Sequence, residues 1–210
     1  AEGYRVAIVP QPNWRDDLRD FKKLGRPRLF FGISGGCMDS MVNKYTANKR
    51  LRSEDAYTPD GRPDMRPDYP STVYSQILKK LFPDVPVVIG GIEASLRRLS
   101  HYDYWQDKVQ KSILCDSGAD LLIYGMGEKP LADLVKNMKS LLTTEEPVLT
   151  SSKFRTIIGS VPQTAYLCRA TEWTSAEDDL QLYSHEECLA DKKKQASNFR
   201  HIEEESNKYS

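Results

Sequence analysis

The residues best suited to chemistry lie in a glycine-rich turn that follows an apolar run. The run at 28–33 leads directly into Ser34, Gly35 and Gly36, and Asp39 comes three residues later. A serine and two glycines at the end of a strand can direct backbone N–H groups and a hydroxyl toward a phosphate. The spacing therefore raises the hypothesis of a nucleotide-phosphate loop.

The spacing after the two glycines disfavours that hypothesis. ATP-pyrophosphatase-type enzymes carry the loop S-G-G-x-D-S, whereas here both Cys37 and Met38 separate Gly36 from Asp39. One extra residue at a helix start rotates everything after it by about 100°, so the hydroxyl of Ser40 would miss the phosphate. The sequence contains neither G-x-x-x-x-G-K-[ST] nor G-x-G-x-x-G. An ATP-pyrophosphatase-type nucleotide enzyme remains the weakest of the alternatives.

Elements that position this turn can be read from hydrophobic periodicity. Runs without polar alternation predict strands that are covered on both faces, at 4–10, 28–33, 84–91 and 119–125. Amphipathic segments predict helices between them, at 14–24, 40–51, 71–81, 104–115 and 130–142. One or two further strands are expected in 154–170. Strands that alternate with helices predict an α/β fold with a doubly wound, mostly parallel sheet of Rossmann-like type.

Ligands of such sheets bind outside the carboxyl ends of the strands. Three predicted strands end there in polar, glycine-rich turns, so their residues are the candidate ligand-facing or partner-facing set. That set is Ser34, Gly35, Gly36, Asp39, Gly90, Gly91, Glu93, Gly125, Gly127 and Glu128, with His101 and Asp103 behind them. The alternative is that the glycines only make tight turns, and that the two glutamates only favour helix starts.

Composition limits the partners that this chain could take. Its 210 residues carry a net charge of +0, which gives no electrostatic reason to expect nucleic acid or a membrane as a partner. The four cysteines are scattered and lack metal-site spacing. They are interpreted as reduced, mostly buried thiols of a cytoplasmic protein. The chain opens on Ala1 rather than Met, so we expect a piece of a longer protein.

Two segments lie outside the predicted sheet. The loop 52–70 has four prolines and alternating charges, and it is either solvated or an ordered lid over a ligand or partner. From residue 171 the chain is heavily charged and is predicted to be helical, with a capping box of Ser184 and Glu187. The residues Leu182, Leu189, Ala196, Phe199 and Ile202 form a thin apolar stripe, and a solvated helix lying on the body of the domain is expected. The predicted domains are 1–170 and 171–210.

Three long strings carry a specific resemblance. "GISGGCMDSMVNKYTANKRLRSEDAYTPDG", "VVIGGIEASLRRLSHYDYWQDKVQKSIL" and "ADLLIYGMGEKPLADL" closely resemble the N-terminal region of the YgiQ-type radical SAM proteins. The likeness runs from about residue 4 to residue 194. It implies a cobalamin-binding-like α/β domain, followed in the longer bacterial family members by a radical SAM barrel.

The resemblance implies that the barrel of such a protein holds a [4Fe-4S] cluster on C-x-x-x-C-x-x-C and cleaves S-adenosylmethionine. That motif is absent from this sequence, so none of its residues receives a catalytic or cluster-ligand role. The D-x-H-x-x-G motif of cobalamin ligation is absent too, and His101 is expected to make an orienting hydrogen bond at a turn. No cofactor is therefore expected in this segment, and cobalamin is disfavoured.

Together these features predict an accessory domain that covers the barrel of its own chain and helps to shape the substrate site, while the resemblance assigns no reaction or substrate. By itself this segment is not expected to catalyse. The alternative from a different class is a stand-alone, flavodoxin-like module that binds a small ligand.

Overall fold

A computed structural model describes residues 3–208, which form two compact units. The first unit contains the described residues up to 98 together with 113–167, and the second contains 99–112 and the residues from 168 onward. The domain boundary at 170 stays a prediction. None of the helices within 3–208 has the length and apolar character needed to cross a membrane.

The strands and helices are numbered in chain order. The strands are β1 Phe31–Ser34, β2 Val87–Gly90, β3 His101–Asp103, β4 Lys108–Gln110, β5 Leu121–Ile123 and β6 Thr164–Ala165. The helices are α1 Arg19–Lys22, α2 Ser40–Lys44, α3 Pro70–Leu81, α4 Gly91–Leu96, α5 Ile113–Ser117, α6 Glu128–Ser140, α7 Ser151–Phe154, α8 His185–Ala190 and α9 Lys192–Ser206.

A four-stranded sheet in the order β1-β2-β5-β6 forms the centre of the first unit. β1 pairs with β2 in parallel, from Phe31 opposite Val87 to Ser34 opposite Gly90. β2 pairs in parallel with β5, and β6 pairs antiparallel with β5. The expectation of a mixed α/β fold with a mostly parallel sheet is confirmed.

Both faces of the sheet are covered by helices. Neighbouring residues of a strand point to opposite faces, so they pack into different clusters. On β2, Val87 and Ile89 join one buried cluster with residues of α1, α3, α4 and α5, whereas Val88 joins a second cluster with residues of α6 and α7. This double coverage explains why these strands read as continuous apolar runs without polar alternation.

The predicted helix at 14–24 shrinks to the single turn α1. Carboxylate and amide side chains compete for the backbone N–H groups before it: Asp16 accepts from the amide of Leu18 at 2.8 Å, and Asp17 accepts from that of Arg19 at 3.1 Å. Leu18 itself adopts the left-handed conformation, with φ 61°. Likewise α2 ends at Lys44, well before the predicted end of that helix.

Two other predicted elements are wrong. Residues 4–10 form no strand within the described part of the chain, because no described strand pairs with them, and Val6 and Ile8 lie exposed. The predicted helix 104–115 is instead the turn and second strand of the β3–β4 hairpin, followed by the start of α5. Asp103 accepts the amide of Gln106 at 2.9 Å, as a helix cap would, but Asp107 has φ 53°, so a hairpin turn follows.

The second unit contains this hairpin with α8 and α9. The predicted capping box is confirmed, since the Ser184 hydroxyl accepts the amide of Glu187 and the Glu187 carboxylate accepts that of Ser184. The predicted apolar stripe is wrong, because Leu189 and Phe199 are exposed. Asn198 is buried instead, and its amide group exchanges two hydrogen bonds of 2.9 Å with the backbone of Tyr183.

The four cysteines depart from their expected burial. Cys37, Cys115 and Cys168 are exposed, and Cys188 is buried; all four are free thiols. Burial raises the pKa of the Cys188 thiol. Cys37 lies in a bend, Cys115 lies on the exposed side of α5 and Cys168 lies in an irregular segment, so the expectation of mostly buried thiols is wrong for these three.

Candidate functional site

Three strand ends meet at one edge of the sheet. A Cβ atom on Gly91, after β2, would lie 2.6 Å from the Ser34 hydroxyl oxygen at the end of β1. The Ser95 hydroxyl of α4 accepts the amide of Gly125, after β5, at 3.3 Å. Gly91 also has φ 80°, a conformation that glycine adopts without strain. The turns that follow β1, β2 and β5 therefore form one continuous surface.

Glu93 is fully buried beneath this surface. Its Oε1 accepts the amide of Ser71 at 2.9 Å, in the first turn of α3, a helix whose own N-cap residue supplies no side-chain hydrogen bond. Gly35 lies against the same carboxylate, since a Cβ there would come within 3.1 Å of Oε2. Glu93 thus caps a neighbouring helix start, and it requires a small residue at position 35.

Asp39 serves a similar structural purpose at the end of β1. Its carboxylate caps α2 by accepting the amides of Met41 at 3.1 Å and Val42 at 3.2 Å, and it forms an ion pair with Arg97. Burial by itself would lower the pKa of Arg97, but the hydrogen bond to Asp39 and the nearby negative charges of Asp39 and Glu93 together outweigh burial, so the pKa of Arg97 is raised. The pair links the turn after β1 to the end of α4.

Sequence reasoning missed Arg97 because its partner Asp39 lies 58 positions away along the chain, and such a distant pair leaves no local pattern in the sequence. Its guanidinium also donates to the carbonyl of Glu93 at 3.2 Å and lies over the ring of Tyr69, 5.2 Å from the centroid. A buried arginine that joins three elements is a framework residue of the site. The only sequence hint is the double arginine at 97–98.

The loop 52–70 is ordered by charge pairs. Arg66 donates to Asp55 at 2.9 Å and to the carbonyl of Gly35 at 3.4 Å, so the loop contacts the turn after β1. Lys44 of α2 lies 2.6 Å from Asp64 and 2.7 Å from Asp68. These contacts favour the ordered interpretation of the loop over the solvated one. A cavity of about 10 Å³ beneath it has room for one water molecule.

The charge of Asp55 is held by several donors. Burial by itself would raise the pKa of this carboxyl, but neighbouring Asn43, the amide of Tyr57 and Arg66 together lower it below its ordinary value of 3.8, the last two through hydrogen bonds of 2.9 Å. The loop is therefore anchored by a carboxylate that stays ionised well into the acidic range.

The outward face of the three turns is apolar. Met38 follows the first turn, Ile92 and Leu96 lie on α4 after the second, and Met126 lies in the third with 76% of its surface exposed. We call these four residues and their turns the strand-end surface. The predicted polar residues Asp39 and Glu93 lie buried behind it. Sequence reasoning concentrated on glycines and acids and passed over these four side chains.

The other predicted residues are placed as follows. Gly36 is an exposed turn residue, Gly90 ends β2, and Gly127 precedes the exposed Glu128, which begins α6. His101 and Asp103 belong to the second unit. There His101 Nδ1 contacts the carbonyl of Leu99 at 3.0 Å, in agreement with the expected orienting hydrogen bond. Whether any of these residues touches a ligand stays a prediction.

Among residues 3–208, no group of three or more histidine, cysteine, aspartate or glutamate side chains is arranged to hold a metal ion. No residue described here is therefore assigned to an iron–sulfur cluster.

The fold and the site define a class: an α/β domain whose strand-end turns have a charge-paired, buried interior and an apolar outer surface. The family model described as "Radical SAM N-terminal" matches residues 1–210. The chain belongs to this radical SAM N-terminal family. The resemblance to YgiQ-type proteins that the sequence suggested is confirmed at the level of the family.

Relatives give the same assignment. The chain is 82% identical to a UPF0313 protein of Bacteroides thetaiotaomicron and 66% identical to one of Porphyromonas gingivalis, over 209 residues in each case. Those matches cover 100% of this chain, but only 34% and 31% of the relatives. A UPF0313 protein of Shewanella oneidensis is 56% identical over 138 residues, 66% of this chain and 17% of its own length. No solved structure matches.

Proposed function

We propose that this chain is an accessory domain of a parent protein about three times as long, and that its strand-end surface docks on a radical SAM barrel of that protein. In this position the domain covers the mouth of the barrel and helps to shape the substrate site. The family assignment and the partial coverage of the relatives support the existence of such a parent. The exposed apolar side chains support the docking.

The single observation that carries the proposal is the inverted polarity of the strand-end surface. Small-ligand sites direct a few polar groups into an apolar cavity. Here the polar groups Asp39 and Glu93 are used internally, whereas Met126 and Ile92 face outward. Several exposed apolar side chains, with methionine among them, at one edge of a sheet are typical of a protein-binding surface. This favours docking over the alternative of a stand-alone small-ligand module.

Cofactors of the parent follow from the family. Radical SAM membership supports a [4Fe-4S] cluster and S-adenosylmethionine in the parent, which together supply a 5′-deoxyadenosyl radical. Within the described residues of this chain no side chains are grouped to hold the cluster. This chain contributes binding surface and framework, and we propose no cofactor for it. Four free thiols support a reducing, cytoplasmic setting.

The proposal is tested on the full-length parent protein by Met126→Lys and Ile92→Lys. Leu24→Lys is the matched control, because Leu24 is also exposed and apolar but lies before β1, at the amino end of the strands. Hydrogen exchange followed by mass spectrometry should show slow exchange at 90–92 and 125–127 in the wild type. Both test variants should lose this protection, and the control should keep it.

A second readout is formation of 5′-deoxyadenosine from S-adenosylmethionine under reducing conditions. The two strand-end variants should change its rate or its coupling to product, while Leu24→Lys should not. Exchange of the wild-type turns at the rate of an open loop would contradict the docking proposal.

A further inference from the structure

The segment 4–9 is an apolar run that the structure leaves without a strand partner. It belongs to no described helix or strand, Val6 and Ile8 are exposed over 80% and 82% of their surfaces, and no described strand pairs with it. Burying a valine or isoleucine side chain stabilises a fold, so leaving both exposed gives up that stabilisation. A run of this kind, without polar alternation, is typical of a strand covered on both faces. The segment therefore has the sequence of a β-strand but pairs with no strand within the described residues.

The outer edge of β1 is the complementary feature. β1 is the terminal strand of the sheet, and the amide of Phe31 donates inward to the carbonyl of Pro86 at 2.9 Å. Because alternate residues of a strand direct their peptide groups to opposite neighbours, Gly32 and Ser34 present theirs to the outer edge. Both residues are exposed. The edge carries no lysine, proline or bulge of the kind that protects natural edges.

The connection between the two features fits a crossover in a parallel sheet. From residue 10 to β1 the chain passes through α1, where Phe21 packs edge-to-face on Tyr74 of α3, with 5.6 Å between the ring centroids. This places the crossover on one face of the sheet, as parallel neighbours require. Yet residues 4–9 do not pair with β1. A single further strand, with β1 on one side and residues 4–9 on the other, would give a partner both to the outer edge of β1 and to residues 4–9.

We propose that a β-strand from a part of the parent protein outside these 210 residues inserts parallel to β1, pairs with its outer edge and with residues 4–9, and completes the sheet. The relatives supply the chain to do so, because this sequence spans only 34% and 31% of their lengths. A strand on the same chain also has a high effective concentration at the edge. We expect this strand to be apolar on both faces.

A second copy of the chain is the rival occupant, and the geometry disfavours it. Two copies related by a twofold axis pair their equivalent edges antiparallel. The pairing of β1 with β2 and the double coverage of the sheet point instead to a parallel neighbour. A second copy would also leave residues 4–9 without a place in the same sheet.

The test is hydrogen exchange of the full-length parent protein, read at residues 5–9 and at Gly32 and Ser34. These amides should exchange as slowly as those of β2, because they are hydrogen-bonded within a sheet. Exchange at the rate of the residues 174–182, which belong to no described helix or strand, would overturn the proposal. Protection that disappears on hundredfold dilution would assign the edge to a second copy and would also overturn it.

A variant pair makes the test specific. Val6→Lys places a charge in the proposed sheet and should accelerate exchange at Gly32 and Ser34 at least tenfold, whereas Leu24→Lys, also at an exposed apolar residue, should change it less than twofold. Equal effects of the two variants would count against the strand. The readout is separate from that of the docking proposal, because it concerns residues 4–9 and the β1 edge rather than Ile92 and Met126.

Discussion

The ion pair between Asp39 and Arg97 allows the framework of the strand-end surface to be tested by one substitution. Arg97→Met keeps the length of the side chain but removes its charge, and it leaves Asp39 buried without its cation. The side chains of Asp39 and Arg97 are only 7% and 10% exposed, so water cannot replace the lost partner. The variant should therefore destabilise the first unit strongly.

The magnitude follows from the burial of the pair. Removing one partner of a buried ion pair costs about 3–5 kcal/mol of free energy of unfolding. Since about 1.4 kcal/mol corresponds to a factor of ten in an equilibrium constant, opening of this unit should become roughly 100- to 4,000-fold more frequent. Amide exchange of β1 and β2 should accelerate by that factor, provided that exchange proceeds through global opening of the unit.

The assay is hydrogen exchange of the parent protein with two comparisons. Lys129→Met removes an exposed i,i+4 pair with Asp133 and should change exchange by less than about threefold. Adding Asp39→Asn to Arg97→Met should restore part of the stability, because the amide oxygen still caps α2 without a buried charge. The reasoning is refuted if Arg97→Met costs no more than Lys129→Met, or if the added asparagine destabilises further.

Three further predictions concern single residues. Gly91→Ala should cost about 1 kcal/mol more in unfolding free energy than Gly118→Ala. Both glycines have positive φ, but only at position 91 would the added Cβ push the Ser34 hydroxyl away from the amide of Gly36, whose hydrogen bond it accepts; denaturant unfolding measures the difference. Because the pKa of Asp55 is lowered in the folded protein, the ionised carboxylate stabilises the loop at pH values above its ordinary pKa of 3.8, and this stabilisation is lost as the pH falls through the lower folded pKa. Proteolysis of the loop should therefore rise only in strong acid. Asp55→Asn should remove this dependence on pH. Iodoacetamide should label Cys188 more slowly than the three exposed thiols, because burial raises its pKa, and equal labelling rates would contradict the fold of the second unit.

The sheet of the first unit was predictable because its signals are local. β1, β2 and β5 each lie within an apolar run that ends in a glycine-rich turn, and parallel strands align their carboxyl ends at one edge. The convergence of Ser34, Gly91 and Gly125 on this edge followed from topology alone. The Ser184 capping box was also predictable, because it is a local pattern of four residues.

Interactions between distant residues were not predictable. The segment 101–110 has a helical stripe but forms a hairpin, because the left-handed Asp107 ends any helix there and its aromatic residues suit strands. Arg97 and Asp39 meet only in three dimensions. Residues 4–9 have the sequence of a buried strand, and the structure gives them no partner within the described part of the chain.

The most direct test of the docking proposal is a photo-cross-link from the strand-end surface of the parent protein. The photoreactive residue p-benzoylphenylalanine would replace Met126, the most exposed of its four apolar side chains, with a second variant carrying it at Leu24. Our account predicts intramolecular cross-links from position 126 to peptides of the radical SAM barrel, and none to the barrel from position 24. Cross-links from position 126 that reach only another molecule, or no barrel peptide at all, would contradict it.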